Sequence, residues 1–393
     1  MFRKSLVIVL AIVLPVVVVI IFSIKKNRGH KEYLTSFNEV DKIDDGIRYI
    51  LDYYDVKGAS VSIIQNYKII WTKGYGVTDA KTSSPILNHT LFDVGSISKP
   101  VSAIAVMNTL KSYGISLDTD VNKLLSSWKV HENEFTVSRK VTIRQLLSHQ
   151  GGINIHGFLG YTDNESLPTL HQVLEGHFPA NNEQIEVIQT PGESFMYSGG
   201  GYCILQQLIQ DITNRPFEDV IEKEVFEKVG MKNSTFRQDS LEYYFQSVAR
   251  GHIRGDTFKV KRMRFTELAA AGLKTTSEDL AMLLLSIQLS LNEQSSALLD
   301  KKQSDLMVSS QVNDYGLGFE LADNGKNRFF GHAGANIGFK SLMIASTNEG
   351  YGIVILTNSS KDGNIFWFEN DKSRNEIVDL ISQVYKWGTV PKF

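Results

Sequence analysis

Residues 92–100 read Phe92-Asp93-Val94-Gly95-Ser96-Ile97-Ser98-Lys99-Pro100, and Val101, Ile104, Ala105, Val106, Met107 and Leu110 follow. Those apolar side chains fall on every face of a helix, which predicts a buried one, and Gly114 is placed to end it. At the start of a helix, residues i and i+3 share a face. The Lys99 amine can then reach the Ser96 hydroxyl. A lysine stripped of water loses its proton near neutral pH and can act as a base, and a helix N-terminus favours negative charge developing at the serine. The same Ser-x-x-Lys spacing occurs at Ser23/Lys26 and Ser126/Lys129. Ser23 stands at the end of an apolar run, and Ser126 precedes Trp128 in an expected loop. Only Ser96 follows a glycine and opens a buried helix.

Upstream, Val40, Ile43, Ile47, Ile50, Leu51 and Tyr54 predict an amphipathic helix over about 36–55. Ala59–Ile64 and Lys68–Trp71 read as a β-hairpin. Downstream come a helix through Tyr202, Leu205, Leu208, Ile209 and Ile212, and a shorter one toward Gly230. Another is capped by Thr276 or Ser277 and runs to about Leu291. The last third turns strand-like at Gly316–Ala322, Phe339–Ala345 and Tyr351–Leu356, then closes on a helix through Ile377, Leu380, Ile381, Val384 and Tyr385. Strands at both ends with helices between predict an α/β (α+β) protein. One antiparallel sheet is built from both chain ends and flanked by helices, and an all-helical lobe over about 100–290 is inserted.

Two further segments can carry chemistry. In Tyr197-Ser198-Gly199-Gly200-Gly201-Tyr202 the glycines permit close backbone approach, and a tyrosine beside a cation can exchange protons. Taken alone, it reads rather as a flexible turn with Tyr197 in the core. In Gly331-His332-Ala333-Gly334-Ala335, Gly334 would let a substrate lie along a strand edge where the Ala335 N–H polarises a carbonyl. Alone, this too reads as a turn with a half-buried histidine.

Composition narrows the classes. Lys+Arg 41 against Asp+Glu 43 leaves a net charge of −2, without the basic surplus that nucleic acid requires. Cys203 is the single cysteine, so internal disulfides and cysteine-rich metal clusters are excluded. An α/β-hydrolase needs Gly-x-Ser-x-Gly, and no serine here has glycine at both of those positions. The nine histidines form no His-x-His and no His-Glu-x-x-His. His149 and His156 stand seven apart without a clear third ligand. Neither a metal nor a cofactor is expected.

In this order and spacing the three segments resemble the active-site serine penicillin-recognising family of class C β-lactamases, D-alanyl-D-alanine peptidases, D-aminopeptidases and family VIII-type esterases. The likeness extends over roughly 36–386. It takes in Gly74-Tyr75-Gly76, Leu117-Asp118, the "LLxHxSG"-like stretch from Val141 to Gly152 with Gly151 in place of Ser, Pro191-Gly192-Glu193, Ala271-Gly272-Leu273 and Asn358. The resemblance implies a β-lactamase/transpeptidase-like fold and a serine hydrolase with catalytic Ser96, Lys99 and Tyr197. Ser96 would be acylated, Lys99 and Tyr197 would share the proton transfers, and the N–H groups of Ser96 and Ala335 would hold the oxyanion. Ser198, His332 and Gly334 would contact substrate. Which of Lys99 and Tyr197 is the acylation base stays open. Two departures shape the expected substrate. Gly199 stands where many relatives have an amide-orienting Asn, and His332-Ala333-Gly334 replaces Lys-Thr-Gly. A histidine there is expected to anchor a substrate carboxylate only as imidazolium. Esters or D-amino acid-type peptides are therefore ranked above lactams. The alternative is a β-lactamase, or a penicillin-binding sensor or scaffold with little turnover.

The N-terminus reads separately. Leu6 to Phe22 carry no polar side chain, and with Ser23 and Ile24 the run spans about 28 Å as a helix, close to the roughly 30 Å hydrocarbon core. No small-residue cleavage site follows. The expected organisation is a membrane anchor (1–26), a linker (27–35) and a hydrolase domain (36–393). The resemblance places that domain outside the cytoplasmic membrane as a single-pass protein. Lys25, Lys26, Arg28 and Lys31 after the span outnumber Arg3 and Lys4 before it, which opposes that orientation.

Overall fold

The computed structural model describes residues 29–393 except 38, 240, 242–246, 254–255, 295 and 361–371. The expected anchor and transmembrane helix lie outside these residues. No helix among the described residues is long and apolar enough to cross a membrane. Of the stretch read as a linker, residues 29–34 form a helical turn tied to the domain. His30 stacks on Tyr53 at 3.7 Å, and its ring nitrogens meet Tyr49 Oη at 3.0 Å and Glu376 Oε2 at 2.7 Å.

The predicted first helix is shorter than read, α1 covering Ile43–Tyr53 after one turn at Val40–Lys42. The hairpin follows as β1 (Gly58–Gln65) and β2 (Lys68–Asp79), extended by β3 (Ser84–Pro85). From the far end of the chain come β8 (Glu320–Asp323), β9 (Arg328–Asn336), β10 (Phe339–Ser346) and β11 (Gly352–Thr357). These seven strands form one antiparallel sheet in the order β3-β2-β1-β11-β10-β9-β8. Its centre is the pairing of the two chain ends, Val61 opposite Ile355 and Ile63 opposite Ile353. Only the last part of the Gly316–Ala322 reading is a strand. Gly318 sits at φ +86° and Gly316 abuts the Met307 carbonyl, so the backbone turns there before it can pair.

Period-2 alternation sends β1 side chains to two cores. Ala59, Val61 and Ile63 pack with α1 and the closing helix, Lys372–Tyr385. On the other face, Ser60 and Ser62 each meet Ser277 Oγ at 2.7 Å, at the start of the helix Ser277–Leu291. Thr276 caps that helix by accepting from Asp279 N at 3.1 Å. The inserted lobe is not all-helical. It holds α2 (Ser98–Tyr113) and α3 (Gly199–Thr213), short helices at Ile143–Leu147 and Leu170–Glu175, and long loops between them. Short strands cross it as well. β4 (Phe92–Asp93) pairs with β7 (Lys274–Thr275), while β5 (Gly251–Ile253) pairs with β6 (Asp256–Lys261) and β12 (Ser359–Ser360). Every residue of α2 from Ser98 to Leu110 is buried, and Gly114 ends it at φ +65°.

Candidate active site

Ser96 lies on a single turn, Gly95–Ile97, that feeds α2. Backbone packing fixes this turn against β9. Gly95 has φ +53°, and a Cβ there would stand 2.5 Å from the Ala335 carbonyl oxygen. From the other side, a Cβ on Gly334 would stand 2.0 Å from the Val94 oxygen. Both glycines are required by this approach. The segment before the turn is held by β4–β7 pairing and by a buried ion pair between Lys274 and Asp93. Ser98, between Ser96 and Lys99, faces away from them. Its hydroxyl donates to Gly95 O at 2.6 Å and accepts from Leu273 N at 2.9 Å.

Lys99 is buried and donates to Ser96 Oγ at 3.0 Å and to the Ala270 carbonyl at 2.9 Å. Burial brings its pKa down to about 7, with Glu320 and Cys203 acting weakly upward. Its ammonium nitrogen stands 4.9 Å from the Tyr197 ring centroid. Tyr197 Oη is buried and makes no hydrogen bond of standard geometry. Burial holds this phenol well above its ordinary range, although nearby Ser96 draws it partway back.

Ser96, Lys99, Tyr197 and Ala335 line one cavity of about 390 Å³, counted with its open mouth, together with His156, Gly157, Phe158, Ala270, Ala271 and Asn336. β8 pairs with β9 only as far as Gly331, and among the described residues no strand covers the edge of β9 beyond it. Leu321 N–H turns away to Asp314 O, so Glu320 and its partner Gly331 are the pair whose N–H groups face each other, and Gly331 and Ala333 N–H point off that edge. N–H groups two residues apart in a strand point the same way, so Ala335 N–H also faces the open edge beside Ser96.

The other three expected contact residues stand behind the cavity. Ser198 is a structural cap. Its Oγ accepts from Gly201 N at 3.0 Å and donates to Asn154 O at 2.7 Å. Gly334 serves the backbone packing already described. His332 is fully buried, because strand alternation turns it to the same face as Phe330, into the larger core. Burial, and then the Lys99 charge, lower its pKa to about 3. The expectation of an imidazolium anchoring substrate is corrected: this ring is neutral throughout the ordinary pH range.

His332 instead ends a directional chain of hydrogen bonds. Ser198 N–H donates to His149 Nδ1 at 3.0 Å, which places the His149 proton on Nε2. That N–H donates to Tyr315 Oη at 3.2 Å, and the Tyr315 hydroxyl donates to His332 Nε2 at 3.1 Å. The remaining proton, on His332 Nδ1, faces Ala333 O, with Glu320 at 3.4 Å. Burial, and after it the Lys99 charge, holds His149 well below 6.5. Its ring lies 4.2 Å from that of Tyr197, and His156 approaches the same ring at 4.9 Å. The sequence singled out these two histidines by their spacing. What joins them is a shared contact with the Tyr197 ring. Tyr315, Glu320 and Phe158 gave no signal, being set by tertiary approach alone. The competing Ser126/Lys129 pair does not meet. Ser126 is exposed and donates its N–H to Asp211, while Lys129 turns back to the Asn122 and Leu125 carbonyls.

The family model described as "Beta-lactamase" matches residues 43–371. The chain belongs to the beta-lactamase family. Within this family it resembles "Protein flp" of Staphylococcus aureus (strain MW2), 25% identical over 329 residues, which are 82% of this chain and 63% of that protein. The chain thus spans less than two-thirds of that curated relative. Among solved structures, the octameric penicillin-binding protein homologue from Pyrococcus abyssi superposes with a TM-score of 0.73 at 24% identity, over 88% of this chain and 77% of the other. The hydrolase EstCE1 gives 0.70 at 18%, over 88% and 98%. The D-amino acid amidase from Ochrobactrum anthropi SV3 gives 0.68 at 19%, over 86% and 99%. These superpositions establish the shared beta-lactamase fold, an antiparallel sheet with flanking helices.

Proposed function

We propose that the chain is a serine hydrolase that forms an acyl-enzyme at Ser96 on ester or D-amino acid-type peptide carbonyls. One observation carries the reading. A buried lysine, with its pKa near 7, stands 3.0 Å from a serine hydroxyl in a cavity that opens to solvent. Neutral Lys99 takes the Ser96 proton as Oγ attacks the carbonyl carbon. The oxyanion forms against Ser96 and Ala335 N–H. Leaving-group departure returns the proton from Lys99, with the Tyr197 hydroxyl as the adjacent relay. The high pKa of Tyr197 supports Lys99 rather than a phenolate as the acylation base. Water then releases the acyl group by the reverse sequence. The named likeness to an amidase and to an acyltransferase-competent hydrolase supports the carbonyl chemistry, at the level of fold. The apolar run 6–24 supports attachment to a membrane, while the outer side is proposed on the family likeness alone, against the charge excess of Lys25, Lys26, Arg28 and Lys31.

Labelling with a fluorescent fluorophosphonate and a fluorescent penicillin tests the reading. Wild-type chain is expected to label, Ser96→Ala to lose all label with unchanged far-UV circular dichroism, and Ser126→Ala to label normally. Label that survives in Ser96→Ala would falsify the assignment. Turnover of a chromogenic ester distinguishes a hydrolase from a sensor, which would stop at a stoichiometric adduct.

A further inference from the structure

The inserted lobe holds a second cavity, of about 1050 Å³ counted with its open mouth, against about 390 Å³ at Ser96. That is the scale of a small-molecule site, roughly 300–1,000 Å³. Its walls come from 167–170, from α3 at Gln206 and Gln210, and from Glu218, 236–239 and 265–268. The short helix Leu268–Ala271 divides the two cavities: Leu268 lines the second one, while Ala270 and Ala271 line the one at Ser96. Two buried side-chain amides brace this partition. Gln206 Nε2 donates to Thr266 O at 3.0 Å, and its Oε1 accepts from Ala269 N–H at 3.1 Å. Gln238 Nε2 donates to Phe236 O and Gly272 O, both at 2.8 Å, and its Oε1 accepts from Phe265 N–H at 3.1 Å. A wall whose buried polar groups are already satisfied gains nothing by closing on itself, so the cavity is preformed.

The lining is two-sided. Leu170, Phe236, Phe265 and Leu268 give an apolar floor, with both phenylalanines buried. Arg237, Asp239 and Glu218 add charges of both signs. Arg237 meets Asp219 at 3.4 Å and Asp239 meets Arg264 at 3.2 Å, but the Arg237 and Asp239 side chains stand 60% and 70% exposed. Ion pairs so exposed contribute little, and a ligand can take the place of either partner at small cost. Among the described residues, no serine, cysteine, histidine or lysine lines the cavity, so it is built to bind and not to react.

We propose that this cavity is an accessory binding site, separate from Ser96, for a free amino acid with a large apolar side chain. The side chain lies on the floor of Phe236 and Phe265, the carboxylate meets Arg237, and the ammonium group meets Glu218 and Asp239. An apolar molecule without charge would leave the charged side unused, and one with a single charge would match only half of it. The inference does not depend on the chemistry assigned to Ser96.

Calorimetric titration with three probes of one shape tests the proposal: L-phenylalanine, 3-phenylpropanoate, which lacks the amine, and 2-phenylethylamine, which lacks the carboxylate. Wild-type chain is expected to bind phenylalanine with a Kd of about 1 mM or tighter, and each singly charged analogue about fivefold or more weakly. Arg237→Glu should weaken phenylalanine by about fivefold or more, and Leu170→Trp, which fills the floor, should abolish binding. Chain treated with fluorophosphonate should keep its wild-type affinity, because the Leu268–Ala271 partition separates the two cavities. No saturable binding at about 10 mM, tenfold above the expected Kd, overturns the proposal. So do equal affinities for the three probes, wild-type affinity in both variants, or binding lost with fluorophosphonate, which would put the ligand at Ser96. The wild-type comparison of the three probes decides if a variant misfolds. Failure of wild-type chain to label with fluorophosphonate is a different result: it removes the hydrolase reading and leaves the probe series and both variants to decide this one.

Discussion

At the scale of single residues, the proposed chemistry turns on one protonation state. Lys99 is a base only when neutral, and its folded pKa lies near 7, about where bulk solution can switch it. Below that value the fraction of neutral lysine falls tenfold per pH unit. For a neutral ester, kcat/KM is therefore expected to rise about tenfold per unit up to pH 7 and to level above it. A flat profile between pH 5 and 8 would exclude Lys99 as the base. His332 should add no inflection in that window, since its pKa of about 3 lies below it. Ser96 and Lys99 were legible because a three-residue spacing on a helix is local information. The burial of His332 was not. The sequence shows a histidine between small residues, and which face of the strand it takes depends on register with β10, where Met343 sits opposite.

At the scale of elements, the Ser96 turn is held from behind by β4 and β7, two-residue strands that no periodicity reveals. Their ion pair, Lys274 with Asp93, is buried on both sides. Removing one partner leaves the other charge buried and uncompensated, which typically costs about 3–5 kcal/mol. Lys274→Met is expected to lower unfolding stability by that amount in urea titration. Asp93→Leu combined with Lys274→Met should recover most of it. Equal losses in the single and double variants would mean that packing, not charge, is what the pair supplies. The long helices were legible because their apolar positions repeat and their ends are marked, by Thr276 and Gly114. The short strands were missed because two residues carry no period. The expected strand at Gly316–Ala322 came from β-rich composition, which the positive φ of Gly318 overrides.

At the scale of the whole molecule, the division of labour was legible: strands at both ends, helices between. Missing was how the chain enters the domain. His30 lies among Tyr49, Tyr53 and Glu376, so residues 29–34 are fastened across α1 and the closing helix. His30→Ala is expected to raise the rate of tryptic cleavage at Lys31 by about fivefold or more, the effect of losing about 1 kcal/mol of local stability, with little change in global melting. An unchanged cleavage rate would show that the segment is held by other contacts. The same geometry bears on synthesis. The partner of Val61 is Ile355, so about 290 residues must be translated before the middle of the sheet can close. At about 5–20 residues per second, the hairpin β1–β2 waits roughly 15 to 60 seconds with one apolar edge unpaired. During that interval the nascent chain already contains Ser96 and Lys99 but not β9, and Ala335, whose N–H is proposed to hold the oxyanion, is among the later parts to leave the ribosome.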